Sequence, residues 1–220
     1  MPEKVWLTIL IPFAYLVGSI PFGLIVGRWR GVDPRTAGSG NIGATNVGRL
    51  LGRRYFFLVF TLDLLKGMGP MLAASAIVHR VPGPSRDAGL HLLWLLVGFA
   101  AVLGHMFSAF LKFSGGKGVA TSLGVALGLV PYFTLPGLVS AAVFVAAFAA
   151  TRYVSVGSMA GACAFPVAYL ALGTARGWDM TGDQLPLTIF AVLIAAMIVY
   201  KHRGNIARLR AGTESRFART

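Results

Sequence analysis

Residues 118–151 read GVATSLGVALGLVPYFTLPGLVSAAVFVAAFAAT, 34 consecutive positions without a charge. As one helix this stretch would be about 51 Å long at 1.5 Å per residue, far beyond a hydrocarbon core of about 30 Å. As two helices of about 17 residues each it just suffices. Pro131 and Pro136 lie near its middle, where a turn between two helices would fall. Working outward, uncharged runs also cover 5–27, 153–175 and 184–200, and apolar runs cover 55–78 and 90–111. Over the whole 220 residues 56% are hydrophobic and 12% charged, about half the charge of a soluble domain. A soluble enzyme is excluded. So is a membrane β-barrel, which needs strands of about 10 residues with alternating polarity. The expected fold class is all-α, a polytopic membrane protein forming a single domain over 1–220.

Charge placement sets the expected topology. Splitting 118–151 gives seven transmembrane helices with the N-terminus outside and the C-terminus cytoplasmic. The inside segments 28–54, 112–117, Arg152 and 201–220 then hold 15 of the 20 Lys and Arg. Outside lie Lys4, Arg80, Arg86 and Arg176 with Glu3, Asp87, Asp179 and Asp183. One helix across 118–151 would put the basic tail opposite the basic loop 28–54, against the positive-inside bias. The net charge of +13 is thus explained by membrane orientation, and no nucleic-acid partner is expected. The N-terminal run is too long for a signal-peptide core and is taken as the first span. Cys163 is the one cysteine, which excludes intrachain disulfides and thiolate metal sites. Gly23/Gly27, Gly124/Gly128 and Gly157/Gly161 repeat at i, i+4 within spans and suit close helix packing.

Three polar segments on the inner side carry chemistry. The first, 37–52, is AGSGNIGATNVGRLLG. Gly38, Gly40 and Gly43 match a dinucleotide fingerprint in form, but the flanking spans leave no room for a βαβ unit. The physical content remains: glycines let a phosphate approach backbone N–H groups, and Ser39, Asn41, Thr45 and Asn46 add neutral donors. Arg49 supplies a forked cation suited to phosphate. The second, SGGKGVAT at 114–121, is not a P-loop, because Gly118 follows Lys117 where Ser or Thr should stand. It is nonetheless a glycine-rich turn with one lysine opening onto a helix N-terminus, hence an anion site built from Gly115, Gly116, Lys117, Gly118 and Thr121. The third, KHRGNIARLRAGTE at 201–214, also fits a stop-transfer cluster with an interfacial helix. His202 and Asn205, three apart on one helical face, go beyond that. Within the membrane, Asp63 and Lys66 are expected to satisfy each other as a structural pair, while His105 is open between core and site. Ser155 starts the sixth span on the inner side. Together these segments predict a cationic pocket at the cytoplasmic surface, beside spans able to admit an acyl chain. An enzyme joining a phosphorylated molecule to a lipid fits that pattern; an organic-phosphate transporter or channel competes, though it should place its polar residues near the bilayer midplane.

The segments GSGNIGATNVGR (38–49), GHMFSAFLKFSGGKGVAT (104–121) and HRGNIARLRAGTE (202–214) resemble the three signature motifs of the acyl-phosphate-dependent glycerol-3-phosphate acyltransferases of bacteria. The likeness runs over nearly the whole chain with no departure at a motif position. It implies a seven-helix enzyme of the bacterial inner membrane, its active site facing the cytoplasm. The implied reaction moves a fatty acyl group from acyl phosphate to the 1-hydroxyl of glycerol 3-phosphate, giving lysophosphatidic acid and phosphate. No metal, cofactor, acyl-CoA or acyl carrier protein is implied. The upstream acyl-phosphate-forming enzyme is an implied partner beside the lipid bilayer. By the same resemblance Ser39, Arg49, Lys117, His202 and Asn205 are the catalytic set, with Ser155, Arg203 and Glu214 at substrate. The His-x-x-x-x-Asp signature of the other large glycerophosphate acyltransferase group is absent: the residues five after His79, His91, His105 and His202 are Pro84, Leu96, Phe110 and Ala207.

Overall fold

A computed structural model describes residues 2–82 and 88–217. Arg86, Asp87 and Arg219, used above in the charge count, lie outside the described residues. Among those described the chain is all-helical, with ten α-helices and one 3₁₀ turn. It divides into two compact units, Met1–Gly128 and Leu129–Thr220.

The first unit holds α1 (Pro2–Ser19), α2 (Phe22–Trp29), α3 (Ala44–Leu51), α4 (Arg53–Val78), α5 (Ala88–Met106) and α6 (Val119–Gly128). The first apolar run is thus broken between α1 and α2, at Ile20 and Pro21. Proline has no N–H to continue the ladder, so carbonyls at the end of α1 need other donors. Ser108 Oγ donates to the Ser19 carbonyl at 2.6 Å, and Lys66 Nζ to the Ile20 carbonyl at 2.8 Å. A broken helix is tolerated at membrane depth only when neighbours satisfy it in this way. Close backbone approach holds the rest: a methyl on Gly18 would strike the Ala101 carbonyl of α5, and one on Gly124 the Leu64 carbonyl of α4.

The second unit holds α7 (Thr134–Thr151), α8 (Val154–Ala175), α9 (Leu185–Lys201) and α10 (Arg203–Arg210). Gly161 of α8 lies against Ser140 of α7, whose hydroxyl donates back to the Gly161 carbonyl at 2.7 Å. Gly157 abuts Phe144 of the same helix, so this glycine pair packs as expected. Phe133 is fully buried among Phe165, Tyr169 and Phe190, with ring centroids 5.0, 4.9 and 5.9 Å away. That aromatic knot ties α8 and α9 to the segment leading into α7.

The long run 118–151 is broken, as its prolines predict. Pro131 lies in the gap, whereas Pro136 falls in the first turn of α7, where a missing N–H costs nothing. The two parts are unequal, however: α6 has 10 residues, about 15 Å at 1.5 Å per residue, and α7 has 18. Five stretches are long and apolar enough to cross a membrane, namely Pro2–Trp29, Arg53–Val78, Ala88–Leu111, Thr134–Thr151 and Val154–Ala175. A sixth is added if α9 and α10, bent by 52°, count as one.

Candidate active site

The first polar segment forms an ordered loop between α2 and α3, clasped by one side chain. Asn46, 1% exposed, accepts the Ser39 N–H on Oδ1 at 2.9 Å. Its Nδ2 donates to the carbonyls of Pro34, Ala37 and Asn41 at 2.9, 3.1 and 2.8 Å. Gly38 and Gly40 have φ of +61° and +69°, where other residues are strained, and a methyl at Gly38 would collide with Asn46 Oδ1. Asn41 Oδ1 accepts the Gly43 N–H at 2.9 Å, closing the turn before α3. Asn41 and Asn46 therefore shape the loop from within, while Ser39 stands exposed on it and Thr45 and Arg49 are half-buried on α3. Asp33, at the loop's start, is engaged by Arg35 through Nη2 at 2.6 Å and Nε at 2.9 Å. Hydrogen bonds from the Arg35 side chain and backbone hold its carboxyl far below the usual range.

The second segment is threaded tightly over the end of α5. The Gly116 N–H donates to the His105 carbonyl at 3.0 Å. Methyls at Gly115 and Gly116 would strike the His105 carbonyl and Nε2, and one at Gly118, φ +80°, would meet Met106. Only glycines fit here, so the loop delivers half-buried Lys117 directly to the N-terminus of α6. Thr121, fully buried, donates to the Asp63 carbonyl at 2.9 Å, so its hydroxyl fastens α6 to α4. Asp63 and Lys66 pair at 2.7 Å, as their spacing predicts.

In the second unit, His202 joins α9 to α10. Its Nδ1 lies 2.8 Å from the Ile198 carbonyl; since a carbonyl only accepts, Nδ1 carries the proton and Nε2 is the basic nitrogen of the neutral ring. One turn on, Asn205 Nδ2 donates to Glu214 Oε1 at 2.6 Å. The same oxygen accepts Ser155 Oγ at 2.9 Å, and Oε2 accepts Arg208 Nε at 2.8 Å. Burial pushes the Glu214 carboxyl up, but hydrogen bonds from Asn205, Arg208 and Ser155 outweigh it and the net shift is downward. Arg203 stacks on Tyr200, its guanidinium carbon 4.5 Å from the ring centroid. The tail folds back on the α7–α8 turn, the Phe217 N–H donating to the Arg152 carbonyl at 3.0 Å.

Sequence reasoning brought Ser155, Asn205 and Glu214 forward singly; the structure joins them in one network. It missed that Asn46 and Glu214 are the fasteners of their segments. For Glu214 a signal existed: it is the lone acid in a run of four Lys and Arg between 201 and 214.

Comparisons with known proteins identify the family. The family model described as glycerol-3-phosphate acyltransferase matches residues 8–212. A glycerol-3-phosphate acyltransferase of Geotalea daltonii is 46% identical over 212 residues, covering 96% of this chain and 97% of the relative. One of Aquifex aeolicus is 43% identical over 210 residues, 94% and 97% of the two chains. The crystal structure of PlsY (YgiH), an integral membrane glycerol 3-phosphate acyltransferase, in its glycerol 3-phosphate form aligns with a TM-score of 0.81 at 39% identity, covering 96% of each chain. Its lysophosphatidic acid form aligns with a TM-score of 0.77 over 96% of this chain and 95% of that one. This chain belongs to the glycerol-3-phosphate acyltransferase family.

Proposed function

We propose that this protein acylates the sn-1 hydroxyl of glycerol 3-phosphate with acyl phosphate as donor, releasing lysophosphatidic acid and phosphate. The observation that carries the reading is the Gly115–Gly118 loop, which three glycines press against the end of α5, so that Lys117 directly precedes the N-terminus of α6, a combination suited to an anion. The charge distribution and the family resemblance support seven membrane crossings, the N-terminus outside, and an active site on the cytoplasmic side of a bacterial inner membrane. The chain acts as one catalytic domain, supplied by an acyl-phosphate-forming enzyme.

The chemistry asks the protein to hold two phosphorylated substrates, offset their repulsion and stabilise a developing oxyanion. Lys117 and the amides at the N-terminus of α6 take the phosphate of the donor. Ser39 and Arg49 take glycerol 3-phosphate, the guanidinium of Arg49 gripping phosphate by its fork, and the family resemblance assigns His202 and Asn205 to the same substrate. The hydroxyl oxygen attacks the acyl carbonyl carbon, the carbon–oxygen bond to phosphate breaks, and the phosphate leaves with the electron pair. No covalent enzyme intermediate is needed, because phosphate is already a good leaving group. Alignment of the two substrates supplies several kcal/mol, and each oxyanion donor about 3 kcal/mol. The hydroxyl proton passes to a phosphate oxygen. The carboxylates of Asp33 and Glu214 are engaged by arginine and other donors, and that of Asp63 behind the second segment by Lys66, which supports this substrate-assisted route. Glu214, Asn41, Asn46 and Thr121 act by positioning.

The test is purified protein with acyl phosphate or acyl-CoA and labelled glycerol 3-phosphate, with lysophosphatidate measured. Product from acyl phosphate alone is expected; product from acyl-CoA alone overturns the donor assignment. His202→Gln should raise KM for glycerol 3-phosphate more than it lowers kcat. A collapse of kcat at normal KM would instead make His202 the base.

A further inference from the structure

Behind the Gly115–Gly118 loop lies a buried polar cluster to which the reaction above gives no role. Asp63 of α4 and His105 of α5 are 3% and 5% exposed. Asp63 Oδ1 stands 2.7 Å from Lys66 Nζ and 3.7 Å from His105 Nδ1. The imidazole therefore turns Nδ1 toward the carboxylate and Nε2 toward Gly116, close enough that a methyl on Gly116 would strike it. The His105 carbonyl holds the Gly116 N–H at 3.0 Å, and the Asp63 carbonyl holds the Thr121 hydroxyl at 2.9 Å. One residue pair thus grips the loop where it enters and where it leaves for α6. Apolar side chains would fill the same volume at lower cost, since intramembrane acids are expensive and a buried ion pair adds little stability.

We infer that His105, oriented by Asp63, is a positioning residue that fixes the backbone of Gly116 and so places Lys117 and the α6 amides on the phosphate of the acyl donor. This rests on the assignment of that loop to the donor. The imidazole ring is the rigid wall between a charge that sets its orientation and a glycine that records it. A ring faced by a carboxylate on one side and abutted by a glycine on the other transmits the α4–α5 geometry to the loop.

Three variants test this in the full-length protein: His105→Ala, Gly116→Ala, and both together. In His105→Ala, amide hydrogen exchange at residues 115–118 should rise while α4 and α5 stay protected; this readout needs no substrate. KM for acyl phosphate should rise on the order of 10- to 100-fold, the cost of a displacement of about 1 Å, while KM for glycerol 3-phosphate stays nearly constant. Gly116→Ala should be equally damaging alone and partly relieved in the double variant, because the imidazole it collides with is gone. His105→Asn, which keeps a nitrogen near the Nδ1 position, should recover part of the loss. Unchanged exchange in the loop, additive effects of the two substitutions, or equal rises in both KM values would overturn the inference. If exchange responds as expected but the wild type does not use acyl phosphate, positioning stands and the donor assignment falls.

Discussion

The loop 34–43 of the first unit and the tail 211–217 of the second are both irregular segments fastened beside an eight-residue helix, yet their fasteners differ in charge. Asn46 holds the loop as a neutral carboxamide, donating to three carbonyls and accepting one N–H. Glu214 holds the tail as an anion, accepting from Asn205, Ser155 and Arg208. The difference follows from what each segment must present. On the function proposed above, the loop presents Ser39 and Arg49 to phosphate, and it keeps its positive potential only if its clasp carries no charge. In the tail, a carboxylate orders donors from two helices at once and is matched by a nearby guanidinium.

Placing a negative charge on the neutral clasp is expected to have the largest effect. Asn46→Asp keeps an acceptor for the Ser39 N–H but removes both donors and sets a carboxylate among three carbonyls. Stranded buried groups of this kind cost about 2–3 kcal/mol, and activity should fall on the order of a hundredfold or more. Thermal melting in detergent together with initial rates checks this. A variant with normal KM for glycerol 3-phosphate would show that the neutral clasp has no electrostatic purpose. Arg49→Lys should follow closely, with most of the loss seen in Arg49→Ala, because a point charge lacks the fork. Rates near wild type would remove the bidentate contact from the reading.

In the tail, Glu214→Ala should be milder in binding and comparable in stability. It leaves buried Asn205 and Ser155 without their acceptor, at a cost of about 2 kcal/mol, while water reaches half-exposed Arg208. Melting temperature should drop, and adding Arg208→Ala should cost little more. Full additivity of the two losses would mean that Glu214 and Arg208 act separately.

Much of this was legible in the sequence, for physical reasons that differ by residue. Long uncharged runs have no alternative to helices in lipid, so the all-helical class and the break in 118–151 follow from composition and two prolines. The length of α6 did not follow, because helix ends depend on tertiary satisfaction: Gly124 and Gly128 seat it against α4, and nothing in the apolar pattern marks where it stops. The tight turn around Lys117 was readable, because glycines on both sides of a lysine exceed what topology requires, and a methyl at Gly115, Gly116 or Gly118 would collide with α5. Asn46 was misleading. Its place among glycines and polar donors suggests contact with phosphate, whereas its side chain faces inward to three carbonyls distant in register. The donor types in a sequence do not reveal which way they point. His105 was ambiguous for a like reason, since its partners Asp63 and Gly116 come from α4 and the following loop.

The smallest expected effect is also the one that isolates charge from shape in the second fastener. Glu214→Gln keeps an oxygen for Asn205 and Ser155 but loses the anion facing Arg208, so at neutral pH melting should fall by less than in Glu214→Ala. Its pH dependence is the sharper readout. In the folded protein the Glu214 carboxyl titrates below its ordinary 4.5, through hydrogen bonds that outweigh the upward push of burial. A depressed value means the unfolded chain binds the proton more readily, so the carboxylate's contribution is complete above 4.5 and is lost as pH falls through the folded value. The melting difference between wild type and Glu214→Gln should therefore be constant from neutral pH down to that point and shrink below it. Curves that stay parallel on acidification would show that Glu214 fastens the tail by shape alone, and the contrast with Asn46 would lose its electrostatic meaning.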